Sequence, residues 1–261
     1  MKIGIIGCGN MANAILSGLI ENEFKVENIM ISDHRLENLE RIKSLNVNTS
    51  LNNKEVANFA DYLILAVKPR FLKQVCEEIH LNLSNDQVVI SIAAGYEIRK
   101  LQADLKFDKV VRVMPNTAAL VSESMSAICL SEAISQAEAN NVINIFKAIG
   151  QVELIDEELM PAVIAVSGSA PAYGYLMLEA MGDAACQLGM SREQAYKFAA
   201  QTLKGVGEMY LETETHPGKL KDSVCSAKGT TIEAVRVLET KGFRSAIIEA
   251  MITCGNKSQK M

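Results

Sequence analysis

The sequence predicts an α/β domain built on a parallel sheet, followed by an all-helical domain. Two observations predict this division. From Lys2 to about Leu154, short apolar runs alternate with amphipathic helical patterns, which is typical of βαβ units. Beyond Asp156 the strand-like runs stop and the remaining pattern is helical. We therefore expect one domain over residues 1–156 and a second, helical domain over residues 157–261.

The amino-acid composition and net charge argue against several classes of function. The 261 residues are 49% hydrophobic and 22% charged, as in ordinary globular proteins, and the net charge of −5 gives no reason to expect nucleic acid or an anionic membrane as partner. Six cysteines lack metal-ligand spacing, which predicts reduced thiols in a cytoplasmic protein and no metal site. The uncharged run 160–178 is interrupted by prolines and a Ser-Gly-Ser cluster, so a buried helix of a dimer core is favoured over a membrane span.

Seven apolar runs predict the strands of the first domain. They cover Lys2–Ile6, Asn28–Ser32, Tyr62–Val67, Gln87–Ile92, Val110–Met114, Met125–Leu130 and Gln151–Leu154. Apolar residues at helical spacing between them predict the covering helices. In the second domain, Ser191 and Gln194 match a capping box, and a further helix is predicted over 231–239.

The segment Gly7-Cys8-Gly9-Asn10-Met11-Ala12 lies between the first strand and the first helix. A dinucleotide site needs Gly7 for a tight turn, Gly9 for close approach of the pyrophosphate and the small Ala12 for packing of helix on strand. The helix N-terminus offers free N–H groups to the anion. This context favours the nucleotide-binding turn of a Rossmann domain over a purely structural turn.

The end of the second strand bears on the choice of cofactor. An acidic residue there accepts a hydrogen bond from the ribose hydroxyl of NAD, whereas a nearby arginine favours the 2′-phosphate of NADP. This chain has both, because Asp33 is followed by Arg35, and Ser32 is a further donor. Asp33 could also turn away or cap the next helix. Arg35 and Ser32 together favour NADPH over NADH, and a preference for NADH set by Asp33 stays open as the alternative.

Three further strand ends carry small residues. Ala66-Val67-Lys68-Pro69 ends one strand at the edge where open α/β sheets bind ligands, and Ser91–Gly95 and Met114–Thr117 end the next two. Small residues there allow a flat nicotinamide ring to lie against the backbone. Lys68 is expected beside the nucleotide, although a surface lysine at a strand end is the alternative.

A second informative segment lies near the C-terminus. Ser226, Gly229, Thr230 and Thr231 precede a helix and supply hydroxyls and free N–H groups, an arrangement suited to an anion. The alternative is that Thr230 only caps the helix. His216, which precedes Pro217, is expected to shape a turn rather than to transfer protons.

With these segments in place, the chain resembles the pyrroline-5-carboxylate reductases, which catalyse the last step of proline synthesis. The resemblance rests on 7–12, 66–69, 91–95, Ser167–Tyr173 and above all 216–232, with Leu220–Asp222 and Gly242–Arg244. It implies a Rossmann domain, a helical domain that interlocks with a second subunit as a homodimer or larger oligomer, and NAD(P)H-dependent reduction of a cyclic imine.

The resemblance also implies site residues. The cofactor contacts would be Ile6, Gly7, Cys8, Gly9, Asn10, Met11, Asn53, Ala66, Val67, Lys68, Ala93 and Ala94, in addition to Ser32 and Arg35, which are expected from the end of the second strand. The substrate contacts would be Glu157, Glu214, Ser226, Gly229, Thr230 and Thr231, with Thr231 at the ring nitrogen as the catalytic contact. One departure concerns Ala227-Lys228, where the family usually has Pro-Gly.

Two other functions stay open. A β-hydroxyacid dehydrogenase would share the domain plan but needs a lysine on the first long helix of the second domain, and 160–181 contains none. A non-catalytic nucleotide sensor would have a degenerate substrate site, and its support is the Ala227-Lys228 departure.

Overall fold

The computed structural model describes residues 1–260, and their eight strands form one sheet in the order β3-β2-β1-β4-β5-β6-β7-β8. The strands are β1 Ile3–Ile6, β2 Ile29–Ser32, β3 Asn48–Ser50, β4 Tyr62–Leu65, β5 Val88–Ser91, β6 Val110–Met114, β7 Ser124–Leu130 and β8 Gly150–Leu154. Neighbouring strands are parallel except β6 and β7. The expected Rossmann sheet is therefore present, with one antiparallel pair.

Helices connect these strands and bury their apolar faces. They are α1 Asn10–Glu21, α2 Leu36–Glu40, α3 Asn53–Phe59, α4 Pro69–Ile79, α5 Ile98–Leu105 and α6 Gln136–Lys147. In α4, for example, Leu72, Val75, Cys76 and Ile79 are buried, as expected for a helix with one apolar stripe. Two apolar clusters result, one of which contains α1 and α6 and the other α3, α4 and α5.

Two features of the sheet differ from the prediction. The edge strand β3 was missed because its three residues, Asn48, Thr49 and Ser50, are polar and none of them is buried. The pairing of β6 with β7 is antiparallel, and the chain reverses through the short 3₁₀ helix Thr117–Val121. Such a short connection suits antiparallel neighbours, since a parallel pair needs a longer crossover.

A second compact unit covers residues 169–253 and is helical throughout. It contains α8 Ala170–Gln187, α9 Arg192–Thr213, α10 Pro217–Val224, α11 Thr230–Thr240 and most of α12 Phe243–Ser258. α8 packs on α9, where Gly182 leaves room for the Tyr196 ring. At the start of α9, Ser191 accepts from the Gln194 N–H, but its hydroxyl also donates to the Gln194 side chain, so the predicted capping box is only half formed.

The helical unit buries few of its own side chains. Its buried residues are small, namely Gly182, Ala195 and Ala199. Large apolar side chains remain exposed on this unit: Tyr175, Leu176, Met177, Phe198, Val206, Met209, Tyr210, Leu211, Val237, Leu238 and Ile248 among them. A face of this kind is typical of a surface that another chain covers. Within residues 1–260, no helix is long and apolar enough to cross a membrane.

The position in the chain where strands give way to helices differs from the boundary between the two compact units. The last strand ends at Leu154, close to the predicted boundary between residues 156 and 157. The first unit nevertheless continues to Gly168 and includes residues 254–260. The reason is apolar packing, because Met160, in the short helix α7 Met160–Val163, is buried in the cluster under α4 and α5, and Val163 and Ile164 pack against that cluster.

Candidate active site

The carboxyl end of β1 lies where the sheet changes direction. β1 pairs with β2 on one side and with β4 on the other, so the connections from β1 and from β4 leave on opposite sides. Ligands of open α/β sheets bind in the crevice at such a point. A ligand in this crevice would therefore contact the residues that follow β1, β2, β4 and β5.

The two glycines after β1 have different structural roles. Gly7 has φ +98°, and a Cβ on it would lie 2.8 Å from the Ala66 carbonyl oxygen. Only glycine fits this close approach of two backbones. Gly9 has an ordinary φ of −85°, and a Cβ on it would meet no atom within 4 Å. The structure thus leaves open space in front of Gly9, as a pyrophosphate requires.

The N–H groups of this turn divide into two sets. The Gly7 N–H donates to the Ser32 carbonyl (2.7 Å) and the Cys8 N–H to the Asp33 carboxylate (2.9 Å), so both serve the fold. Asn10 and Met11 begin α1, where N–H groups have no intrahelical acceptor. The first turn of α1 contains no acidic side chain. This helix start fits the phosphates of a dinucleotide.

Asp33 faces the protein rather than a ligand. It is only 8% exposed, and its carboxylate accepts from the N–H groups of Cys8 and Arg35, both at 2.9 Å. Burial alone would raise the pKa of Asp33, but these two N–H donors and the Asn38 side chain hold that pKa below its usual value. Both oxygens of Asp33 thus accept hydrogen bonds from backbone N–H groups of neighbouring turns.

The thiol of Cys8 lies beside Asp33 in the same turn. Burial, reinforced by the Asp33 charge, raises the pKa of Cys8 to about 11, although Arg41 opposes the shift. The thiol therefore stays neutral and adds no negative charge near a phosphate. It donates weakly to the Asn13 side chain and the Asn38 carbonyl, both at 3.4 Å.

A chain of hydrogen-bonded polar side chains, which the sequence predicted only in part, begins at the end of β2. Ser32 is fully buried, and its hydroxyl donates to Asn53 (2.8 Å), whose amide donates to Glu78 (2.8 Å). Ser32 thus holds Asn53 in place rather than facing solvent. The Arg35 side chain is exposed, and so is Arg41. Glu78 and Arg41 were missed because each lies within a helical pattern and belongs to no motif.

The predicted nicotinamide contacts lie at neighbouring strand ends. β4 and β5 are paired, and the Ile92 N–H donates to the Leu65 carbonyl (3.2 Å) just past them. Ala66, Val67 and Ala94 are half-buried and Ala93 is buried. Lys68 is exposed at the start of α4, where Pro69 is the first helical residue. The structure thus brings these small residues to one edge of the sheet.

In the helical unit, Ser226 to Gly229 form a tight turn before α11. The Gly229 N–H donates to the Ser226 carbonyl (3.0 Å), and a Cβ on Gly229 would lie 2.3 Å from the Ser226 hydroxyl. The helix cap is Gly229 itself, without any side-chain cap, and Thr230 is the first helical residue. The alternative that Thr230 only caps this helix is therefore wrong. Thr231 is half-buried beside it.

Lys228 occupies a strained position in this turn. Its φ is +60°, a conformation that side chains other than glycine adopt at a cost of about 1–2 kcal/mol. A Pro-Gly pair suits the two central positions of a turn with positive φ at the second. The lysine thus stands where a glycine would be unstrained. Despite the lysine at this position, the turn is closed by the hydrogen bond from the Gly229 N–H to the Ser226 carbonyl.

Glu214 and His216 lie before α10. Glu214 ends α9 with φ +48° and is exposed. The His216 ring nitrogen accepts from the Gly218 N–H (3.1 Å) and caps α10, which confirms its predicted role in a turn.

Glu157 belongs to the first unit and is already engaged there. Its Oε1 accepts from Arg112 (2.8 Å) and from the N–H of Ile98 (2.9 Å). The pair borders an open cavity of about 850 Å³, which is also lined by Gly95, Arg99, Met160 and Ser258. Within residues 1–260, no His, Cys, Asp and Glu cluster could hold a metal ion.

Comparison with known proteins identifies two family models in the chain. Residues 157–261 match a model described as pyrroline-5-carboxylate reductase dimerisation. Residues 2–95 match one described as NADP oxidoreductase coenzyme F420-dependent.

Relatives match over the full length. The pyrroline-5-carboxylate reductase of Escherichia coli is 46% identical, over 100% of this chain and 98% of that protein. The solved pyrroline-5-carboxylate reductase of Coxiella burnetii is 34% identical, with a TM-score of 0.94 over 99% of this chain and 97% of that one. A Plasmodium falciparum pyrroline carboxylate reductase with NADP bound is 31% identical, with a TM-score of 0.89 over 100% and 97%. The resemblance stated from the sequence is thereby confirmed, and the chain belongs to the pyrroline-5-carboxylate reductase family.

Proposed function

We propose that the chain reduces 1-pyrroline-5-carboxylate to L-proline, with NADPH as the favoured hydride donor. The observation that carries this proposal is the full-length match to reductases of this family. Two sites support it. The open space at Gly9 suits a dinucleotide, and the Ser226–Gly229 turn before α11 suits an anionic substrate.

The first unit would hold the cofactor. The N–H groups of Asn10 and Met11 lie at the positive end of α1, next to the open space at Gly9, and would bind the pyrophosphate. Ala66–Lys68 and Ala93-Ala94 would contact the nicotinamide half, because small residues allow a flat ring to approach the backbone. When bound, the nicotinamide supplies a hydride.

The preference for NADPH is supported by charge. Asp33 is nearly buried and already accepts from two N–H groups, so its carboxylate is less accessible to a ribose hydroxyl than an exposed one would be. The exposed guanidinium of Arg35 lies two residues after Asp33, and Arg41 is a second exposed cation whose charge acts on Cys8. A guanidinium binds a phosphate more strongly than it binds a hydroxyl.

The second unit would bind the substrate. Ser226, Gly229 and Thr230 offer hydroxyls and N–H groups for the substrate carboxylate, and the Thr231 hydroxyl would contact the ring nitrogen. Glu214 would lie near this contact. A protonated imine is already electrophilic at carbon, and its nitrogen keeps the proton when the carbon is reduced. The protein therefore needs to orient the rings and to neutralise the carboxylate rather than to supply a strong acid.

The rival functions have less support. The sequence of α8, Ala170–Gln187, contains no lysine, which a β-hydroxyacid dehydrogenase would need there. A nucleotide sensor would not need an ordered substrate turn. In this chain, however, a hydrogen bond holds the Ser226–Gly229 turn in a defined conformation.

The proposal is tested by following oxidation of NADPH with 1-pyrroline-5-carboxylate as substrate. Thr231→Ala should lower kcat/KM by about tenfold, the scale of one hydrogen bond to a charged group, with little change in NADPH affinity. Thr231→Ser keeps the hydroxyl and should recover most of the activity. The control Thr240→Ala removes a threonine hydroxyl at the other end of α11, which donates to the Arg236 carbonyl, and should leave kcat/KM unchanged. A fully active Thr231→Ala enzyme, or a wild type inactive with this substrate, contradicts the proposal.

We further propose a homodimer or larger homo-oligomer formed through the helical unit. The exposed apolar side chains of α8 and α9 support it, since they leave too much apolar surface for a monomer. Sedimentation at micromolar concentration should therefore show at least a dimer, and a well-folded monomer would contradict this. Six free cysteines, three of them buried, support a cytoplasmic location.

A further inference from the structure

We propose that Arg112 and Glu157 are positioning residues that fix the loop between β5 and α5, residues 92–97, against which the nicotinamide would bind. The inference rests on the proposed function, because Ala93 and Ala94 of this loop are the predicted nicotinamide contacts. In this role Glu157 acts on the loop through the Ile98 N–H and does not contact the substrate.

Two hydrogen bonds converge on one oxygen atom of Glu157. Arg112 lies in the middle of β6 and is only 6% exposed. Its Nη1 lies 2.8 Å from Oε1 of Glu157, and the same Oε1 accepts from the Ile98 N–H at 2.9 Å. Ile98 is the first residue of α5 and directly follows the loop. A buried strand residue is thus connected to the end of the loop through a single carboxylate.

The helix α5 lacks a cap of its own, and Glu157 supplies one. Glu97 occupies the cap position but makes no side-chain hydrogen bond to the first turn, which contains no acidic residue. A carboxylate at a helix N-terminus satisfies a free N–H group and interacts favourably with the helix dipole. Glu157, 59 residues further along the chain, provides both effects.

The loop has other restraints at its start and its end, since the Ile92 N–H donates to the Leu65 carbonyl and Ala93 and Tyr96 are buried in the cluster under α4 and α5. At its start the Ala93 N–H lies 3.3 Å from the Ser91 hydroxyl, and Gly95 has φ +72°. Tyr96 is buried, and its hydroxyl donates to Asp104 within α5. The tyrosine thus fastens the loop to its own helix, whereas Glu157 connects that helix to β6, the strand next to β5.

Burial of Arg112 fixes the position of Glu157. A nearly buried guanidinium requires a partner, because an unpaired charge there is strongly unfavourable. Glu157 therefore stays at β6 instead of sampling solvent, and the Ile98 N–H is held with it. Small errors in placing reacting groups lower reaction rates substantially, so a displaced loop should matter for a hydride transfer.

The test compares Glu157→Ala with Glu157→Gln. The glutamine oxygen can accept from both Arg112 and Ile98, whereas alanine can accept from neither. Glu157→Ala should weaken NADPH binding by about tenfold, the scale of one hydrogen bond to a charged group, and leave binding of 2′,5′-ADP, which lacks the nicotinamide, unchanged. In the protein without nucleotide, amide hydrogen exchange of residues 93–98 should become faster. Glu157→Gln should behave nearly as wild type.

Two further variants keep the result interpretable. If Glu157→Ala does not fold because Arg112 is left unpaired, Arg112→Met/Glu157→Ala removes both charges and should show the same weakening of NADPH binding. Lys109→Met is the matched control, since it breaks another ion pair of the first unit, with Glu138 at 2.7 Å, away from the loop. It should leave NADPH binding and the exchange of residues 93–98 unchanged.

Three outcomes overturn the inference. The first is a Glu157→Ala enzyme in which only the KM for the imine is raised, as loss of a substrate contact would do, with NADPH binding and exchange unaltered. The second is a Glu157→Gln enzyme as impaired as Glu157→Ala, and the third is a Lys109→Met enzyme that shows the same effect. Failure of the proposed function would give a different result, namely a wild-type protein that is inactive with the imine. In that case nucleotide binding and hydrogen exchange would still test the positioning role.

Discussion

Substitution of Gly9 and of Gly7 should separate binding of the nucleotide from stability of the fold. At Gly9 a side chain enters open space, so Gly9→Val should cost only the weak cap preference of valine, about 1 kcal/mol. For a chain of this length that corresponds to a fall in Tm of roughly 2–4 °C. The valine would, however, occupy the space through which a pyrophosphate must approach α1.

The expected loss of affinity follows from the N–H groups that become inaccessible. Asn10 and Met11 would each donate to a charged phosphate oxygen, and each such bond contributes about 1.5–3 kcal/mol. Loss of both corresponds to more than a hundredfold weaker NADPH binding. Titration of NADPH fluorescence measures this affinity, and thermal unfolding without nucleotide measures stability.

Gly7→Ala provides the matched contrast. Its Cβ would lie 2.8 Å from the Ala66 carbonyl oxygen at φ +98°, so strain of about 1–3 kcal/mol should lower the Tm more than Gly9→Val does. The reasoning is refuted if Gly9→Val binds NADPH with unchanged affinity, or if it unfolds at a lower temperature than Gly7→Ala.

Two further predictions concern single side chains. Arg35→Ala should raise the KM for NADPH by about tenfold and the KM for NADH much less, because only NADPH has a 2′-phosphate; steady-state kinetics with both cofactors measure this, and equal effects would mean that Arg35 does not contact the phosphate. Lys228→Gly should be more stable to urea than Lys228→Ala by about 1 kcal/mol, because only glycine is unstrained at φ +60°; equal unfolding midpoints would show that the turn relaxes around the side chain.

The nucleotide-binding half was largely predictable because its signals are local. A buried parallel strand is a continuous apolar run, so seven of the eight strands were found, and β3 was missed because an edge strand of three polar residues has no such run. The glycine-rich turn was predictable for a similar reason, since the backbone conformation at Gly7 and the open space at Gly9 each restrict the residue type at one position.

The use of charged side chains was less predictable. Asp33 and Arg35 together left the cofactor choice open, because sequence does not show where a carboxylate points. The structure directs Asp33 to the Cys8 N–H. Likewise, the carboxylate of Glu157 lies between Arg112 and Ile98, which are 45 and 59 residues away along the chain. No periodicity or motif connects residues at such distances.

By itself, the sequence determined the element types, the position of the glycine-rich turn and the change from sheet to helix after Leu154. Each depends on residues close together in the chain, through steric limits on the backbone or through the period of apolar side chains. Only the tertiary structure decided the antiparallel place of β7, the packing of Met160 into the first unit and the partners of Asp33 and Glu157. These depend on which distant backbone and side-chain groups meet, and that is settled by apolar packing and by the need of buried charges for partners.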